Sequence, residues 1–263
     1  IDNDHLSFYD SNQEKLNQSF VSFAENLPFY GYILLNLDDS NIRKISKDIH
    51  RRQITFGFHS KNRFQITDVK LEHGLQNFQL IDHANKKHYK FSTNLSGRHN
   101  LYNVTAAICV AIEENISVKD IAKGLAGFRG VGRRFELSEI YFSKHPHVLI
   151  DDYGHHPAEI LSTVLAAKEK FPRQKICMIF EPHRFTRTQQ LFDDFKKVLS
   201  RVDFLLLLDI YPASEKPIKG ISSKKLASEI LEKNKNVYYI GKKDPMNWLQ
   251  ENHQDFSILI TQG

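Results

Sequence analysis

The chain holds only two cysteines, two methionines and one tryptophan in 263 residues. Cys109 and Cys177 lie far apart, each inside an apolar run, which excludes a disulfide scaffold and reads as two buried free thiols suited to a reducing compartment. No apolar stretch approaches the roughly 18 residues of a membrane-spanning helix; the strongest, Phe204 to Leu208, is followed at once by Asp209. Membrane insertion is therefore not expected. A dominant charge is missing as well: 36 Lys and Arg face 31 Asp and Glu, leaving +5, and a cut near residue 131 shares that excess almost equally. Nucleic-acid binders gather their basic residues on one element, so no nucleic-acid partner is expected. The balance reads as ordinary surface charge or a mild bias toward small anions. No G-x-x-x-x-G-K-[ST] phosphate loop occurs, and Gly130-Val131-Gly132 is not followed by the helix pattern of a dinucleotide fingerprint. The chain opens with Ile, and its Asp2 and Asp4 are the opposite of a signal peptide's basic start. A fragment that continues something upstream is expected.

What is present belongs to a folded protein. Hydrophobic residues make up 41% and charged residues 25%, values that exclude disorder and collagen-like repeats, and the length favours two domains over one. Ser11 and Glu14 predict a capping box, with Leu16, Phe20, Phe23, Ala24 and Leu27 at helical spacing until Pro28 stops the pattern. A strand over 31–37, a short helix over 39–49 and a strand over 53–58 give an α/β rhythm. From Arg63 to Phe91 the apolar residues alternate in runs divided by His73-Gly74 and Ala84-Asn85, which predicts antiparallel strands. A buried helix follows over 101–112, and Ser117 with Asp120 caps another that ends near Gly127. Gly127, Gly130 and Gly132 then break both periods, marking the boundary between a domain over 1–131 and one over 132–263, and a candidate hinge.

Beyond the boundary, strands near 148–150, 175–180, 204–208, 237–240 and 257–260 alternate with helical stretches. That pattern predicts a mostly parallel sheet with right-handed crossovers. Ligands of such sheets bind beyond the carboxyl ends of the strands, so the segments after each strand are the candidate site. One is Asp151-Asp152-Tyr153-Gly154-His155-His156-Pro157. Its carboxylates suit ribose hydroxyls, its aromatic ring a base, and its imidazoles proton transfer or an oxyanion, although a helix-capping loop with a buried His reads the same residues equally simply. Another segment carries His183, Arg184 and Arg187. At i, i+3 the two guanidinium groups share a helix face and can grip a carboxylate or phosphate, or stand in solvent. Asn100 and Asn103, also at i, i+3, offer amides to a purine edge or cap a helix. His5 alone reads as a surface histidine.

At these same residues the chain resembles the Mur ligases of bacterial peptidoglycan synthesis. The match runs through Asp4-His5-Leu6, 26–31, Gly97-Arg98-His99-Asn100 with Asn103, 127–135, 151–157, 182–188 and 209–213. The resemblance implies an α/β chain: the latter part of a central ATPase domain with an antiparallel section, then most of a Rossmann-like, mostly parallel-sheet domain. It implies an ATP-dependent amide ligase of the bacterial cytoplasm, with magnesium as cofactor and UDP-N-acetylmuramate and L-alanine as substrates. His5 is implied to ligate a magnesium ion, Asn100 and Asn103 to contact adenine, and Asp152 with Tyr153 to hold the ribose side of ATP. His155 would face the reacting groups, with His156 counted among the substrate contacts. Arg184 and Arg187 would hold the alanine carboxylate, and Arg133 and Arg134 would reach phosphate or substrate. The family's phosphate loop would lie upstream, so the chain alone is expected to be inactive. Tyr153-Gly154 where the tripeptide-recycling relatives tend to have Phe-Ala favours alanine as substrate; a recycling ligase or a non-catalytic nucleotide-binding module are the alternatives.

Overall fold

The computed structural model describes Tyr9 and residues 12–263. The chain divides into two compact units, residues 1–129 and 130–263.

The first unit carries a five-stranded sheet in the order β1-β2-β3-β4-β5, built from β1 (Tyr32–Asn36), β2 (Arg52–Gly57), β3 (Phe64–Glu72), β4 (Leu75–Asp82) and β5 (Lys87–Thr93). The first three strands are parallel, and β3, β4 and β5 form the expected antiparallel meander. His73 and Gly74 both have positive φ, the signature of a tight two-residue hairpin turn whose twist matches the strands. At the next turn the buried Asp82 carboxylate accepts from the Ala84 and Asn85 amides. Among the described residues of the unit the α-helices are α1 (Gln13–Glu25), α2 (Ser40–Ile45), α3 (Arg98–Glu113) and α4 (Val118–Gly127). The core places Ile54, Phe56, Phe64, Phe78 and Leu80 from the sheet against Leu101, Val104, Ile108 and Ile121 from α3 and α4.

Two expectations for α1 are corrected. Ser11 lies outside the described residues, and the cap is Asn12, whose side chain accepts from the Glu14 and Lys15 amides at 2.8 and 3.2 Å. Of the predicted apolar face, Leu16 and Ala24 are buried while Phe20 and Phe23 are exposed. A helical period sets which residues share a face; it does not supply anything for that face to pack against.

The second unit has six strands in the order β10-β9-β8-β11-β7-β6. They are β6 (Glu136–Phe142), β7 (His145–Asp152), β8 (Ile176–Phe180), β9 (Phe204–Leu208), β10 (Val237–Gly241) and β11 (Ile258–Gln262). All pairs are parallel except β6 with β7. Sequence reading passes over β6, because only the last of its seven residues is buried. Helices α5 (Pro157–Lys170), α6 (Phe185–Gln190), α7 (Phe192–Leu199), α8 (Ser223–Ile230) and α9 (Met246–Asn252) flank the sheet. Successive strand residues point to opposite faces. Met178, Leu205, Ile258 and Ile260 pack with Ile160, Phe195 and Leu226, and the alternate residues Cys177, Leu206 and Leu259 pack with Leu249 and Phe256. Both cysteines are buried, and burial pushes their thiols well above the ordinary range.

The chain runs from β7 to β8 past an open lane, builds outward to β10, and returns to fill that lane with β11. The order thus reverses at β11, and the carboxyl ends of β7, β11 and β8 finish level, with Gln262 opposite both Asp152 and Phe180.

Candidate functional site

The three level strand ends carry the segments singled out by sequence. Asp152, the last residue of β7, is buried and holds them together. One carboxylate oxygen accepts from the Phe135 amide at 2.9 Å; the other accepts from the Gly154 amide at 2.7 Å and from the Gln262 side chain at 3.2 Å. A ribose contact by Asp152 would use only what three internal donors leave of the carboxylate. Gly154 is required where it stands: a Cβ there would come within 2.6 Å of Gln262 Nε2 and 2.7 Å of Asp152 Oδ1, closer than van der Waals contact allows.

Past Gly154 the chain turns into α5. His156 is the N-cap, its ring accepting from the Ala158 amide, and Glu159 returns a carboxylate to the His155 and His156 amides at 2.9 and 3.1 Å. Pro157 takes the first helical position. His156 is buried at this cap, the helix-capping arrangement that the sequence also allows. His155 remains at the rim, its Nδ1 3.1 Å from the Tyr153 carbonyl.

The segment entering β6 brings both arginines over the same loop. Arg133 and Phe135 adopt positive φ, a shape held by the Asp152 contact to Phe135 and by donation from the Tyr153 amide to the Arg133 carbonyl at 2.8 Å. Arg133 and Arg134 lie 5.1 and 5.8 Å from the centre of the Tyr153 ring, within cation–π range. Arg133 also faces Asp151 at 3.4 Å, and Arg134 faces Glu159 at 3.5 Å.

After β8 the chain crosses to the end of β9. The Tyr211 amide donates to the Pro182 carbonyl and the Arg184 amide to the Tyr211 carbonyl, each at 2.8 Å. Arg184 is the N-cap of α6, at φ 70°. Glu215, which no sequence signal marks, secures this start. It accepts from the Thr186 amide at 3.0 Å and hydroxyl at 2.7 Å, and lies 3.8 Å from Arg184. Burial opposes its charge, but the Thr186 hydrogen bonds and Arg184 outweigh burial and hold its carboxyl below the ordinary value. The Arg187 guanidinium turns back toward the His183 carbonyl at 3.5 Å. Arg184 thus precedes the helix at a non-helical φ and only Arg187 lies in its first turn, so the shared helical face that the i, i+3 spacing predicts is not formed.

His183 joins the two segments. Its ring stacks on that of His155, centroids 5.4 Å apart and planes 5° apart, and meets Tyr211 at 5.1 Å. Burial, then the charges of His155, Arg187, Arg133 and Arg184, hold its pKa below the ordinary imidazole value. Next to it, a cavity of about 360 Å³ is lined by Glu181, Asp209, Tyr211, Gly241 and Lys242; burial raises the Glu181 pKa.

The remaining predicted residues belong to the first unit. Neither asparagine caps α3, whose N-cap is Gly97 at φ 91°. Asn100 lies in the first turn and donates to the Ser96 carbonyl at 2.8 Å, and Asn103, one turn on, is exposed. Beside them Asp38 accepts from the Phe58 and His59 amides and from the Tyr102 hydroxyl at 2.9 Å. Burial works against its charge, but these donors keep its carboxyl below the usual range. His5, the expected metal ligand, lies outside the described residues.

Comparison with known proteins bears on both units. The family model for the Mur ligase middle domain matches residues 1–111, and that for the Mur ligase glutamate ligase domain matches 133–256. A UDP-N-acetylmuramate–L-alanine ligase of Vesicomyosocius okutanii is 42% identical over 231 residues, covering 88% of this chain and 49% of the relative. The crystal structure of UDP-N-acetylmuramate-alanine ligase MurC from Thermotoga maritima superposes with a TM-score of 0.72 at 21% identity, over 98% of this chain and 53% of that one. MurF ligase from the same organism, solved with ADP, gives 0.73 at 16% identity, over 100% and 56%. The chain spans about half the length of the curated relative it matches.

Proposed function

The chain belongs to the Mur ligase family, and on that premise we propose that the protein carrying it joins L-alanine to UDP-N-acetylmuramate, driven by ATP, in the peptidoglycan synthesis of a bacterial cytoplasm. ATP phosphorylates the muramate carboxylate, the amino nitrogen of alanine attacks the acyl phosphate, and the tetrahedral intermediate collapses to amide and phosphate. The observation that carries the alanine assignment is Arg184 at the N-cap and Arg187 in the first turn of α6, after parallel strand β8, with the adjoining His183 stacked on His155.

In this reading the two guanidinium groups hold the amino-acid carboxylate in a fork a lone ammonium cannot reproduce. Arg133 and Arg134, held over Tyr153, supply positive charge toward phosphate or substrate. Tyr153 offers its ring to the nucleotide, and Asp152 shapes the loop that presents it. Asn100 and Asn103 are the adenine contacts of the first unit. His155 faces the reacting groups. Magnesium belongs to the proposal because phosphoryl transfer needs its developing charge offset. Its proposed ligand His5 lies outside the described residues, and among the described residues no group of three or more His, Cys, Asp or Glu is placed to hold an ion. The roles above therefore rest on protein groups alone.

The test is alanine-dependent phosphate release by the full-length protein with UDP-N-acetylmuramate and ATP, followed by the same assay on Arg187→Lys. Losing one charged pair of hydrogen bonds costs about 2–3 kcal/mol, or about 30–150-fold in the apparent affinity for alanine, with nucleotide-sugar affinity little changed. A defect confined to the nucleotide sugar would sink the clamp, and turnover with a tripeptide in place of alanine would reassign the substrate.

A further inference from the structure

His183 is not used by the reading above, yet aromatic rings and positive charges surround it from several elements. Two imidazoles stacked in parallel, as His155 and His183 are, repel if both are protonated. Tyr153 presents a ring edge to His183 at 6.3 Å from the β7 loop, and Tyr211 lies against it from the segment after β9. Arg133, ahead of β6, and Arg184 and Arg187, on its own side, add positive charge. The carboxylates of the neighbourhood are engaged elsewhere: Glu215 with Thr186 and Arg184, Asp151 with Arg133 and the Thr261 hydroxyl at 2.9 Å. Glu181, two residues before, is shifted toward its neutral form by burial. A partly buried imidazole among cations is kept neutral, which is the state a proton acceptor needs at neutral pH.

We propose that His183 accepts the proton released by the attacking amino nitrogen during ligation. The proposal rests on the ligase reading above, with the amino-acid carboxylate held by Arg184 and Arg187. The amine lone pair forms the C–N bond at the acyl carbon while the carbonyl π pair moves to oxygen. The nitrogen, now positively charged and strongly acidic, gives a proton to the His183 ring. The carbonyl reforms, the bond between the acyl carbon and the phosphate oxygen breaks, and phosphate departs with the electron pair; the imidazolium then releases its proton to solvent. The cations that keep His183 neutral act in the same sense on the ammonium group of a bound amino acid, favouring its uncharged, nucleophilic form.

The experiment uses the full-length ligase and reads alanine-dependent phosphate release against pH. In the wild type, kcat/KM for alanine is expected to fall on the acid side with an apparent pKa below the ordinary imidazole value of about 6.5. His183→Ala is expected to lose about 10²–10⁴-fold in kcat, to change KM for alanine by less than about threefold, to lose that acid limb, and to regain turnover in added imidazole in proportion to its free base. His183→Asn keeps a planar polar group against His155 and serves if the alanine variant fails to fold; its acid limb is expected to vanish too. A variant that folds and keeps the wild-type rate and acid limb would overturn the assignment. So would a rate loss matched by a rise in KM and not rescued by imidazole, which makes His183 a binding contact. If the wild type shows no alanine-dependent phosphate release, the ligase reading fails first, and this one falls with it.

Discussion

Replacing Asp152 with Ala removes the one carboxylate that ties three segments of the second unit together. The Phe135 and Gly154 amides lose their acceptor, and each buried donor left unpaired costs about 1–3 kcal/mol. Gln262 loses less, because its side chain already reaches the Thr163 hydroxyl at 3.4 Å. The two amides together cost about 2–6 kcal/mol. A unit of this size shifts in Tm by roughly 3–5 °C per kcal/mol, so a fall of at least about 6–10 °C is expected in the thermal transition of this unit, followed by circular dichroism at neutral pH. Asp152→Asn retains one acceptor oxygen and is expected to lose about half as much. Below the new Tm, titrations of ATP and alanine are expected to weaken together, because Tyr153 and His155 stand on the same loop. The reasoning is refuted if Asp152→Ala melts with the wild type while ATP affinity alone drops; that result would make the carboxylate a ribose contact after all.

Two further outcomes follow from the same geometry. Gly154→Ala forces a methyl group against Gln262 and Asp152 and is expected to cost about 1–3 kcal/mol, read as a lower urea midpoint at unchanged slope; an unshifted midpoint would mean that the loop relaxes freely. Glu215 has a folded pKa below its ordinary value of 4.5. The stability it contributes is therefore fully present above pH 4.5 and is lost as pH falls through the folded pKa. In Glu215→Gln the stability curve is expected to flatten over that acid window, and an identical acid slope in both proteins would remove Glu215 from the account of α6.

The second unit was the more legible half because a parallel sheet writes itself in continuous apolar runs, and 204–208 shows why: β9 is covered on both faces and has no room for a polar residue until its last position. The antiparallel meander announced itself through alternation and through His73-Gly74, where the turn needs positive φ. β6 was silent because it is an edge strand exposed along most of its length. The site divides on the same lines. Arg184, Arg187, Tyr153 and His155 follow strand ends, and the rule that ligands bind there finds them without further help. For His156 the sequence leaves a helix-capping loop and a ligand contact both open, and spacing alone does not show that its ring caps α5. Glu215 and the anchoring role of Asp152 depend on hydrogen bonds to distant backbone amides, and spacing carries no trace of those.

The placement of β11 between β7 and β8 has a kinetic consequence. Thr261 meets Asp151 across 110 residues of chain, so the lane at the middle of the sheet stays vacant until synthesis has reached β11. Until then β7 and β8 each present an unpaired, apolar edge to any strand that comes near, whether from the same chain or a neighbour's. Long-range parallel pairing of this kind is slow and leaves the nascent unit open to misassembly. The strand whose arrival levels Asp152, Gln262 and Phe180 into one platform is also the one that ends this exposure, so a chain competent to bind is one that has already passed its most aggregation-prone stage.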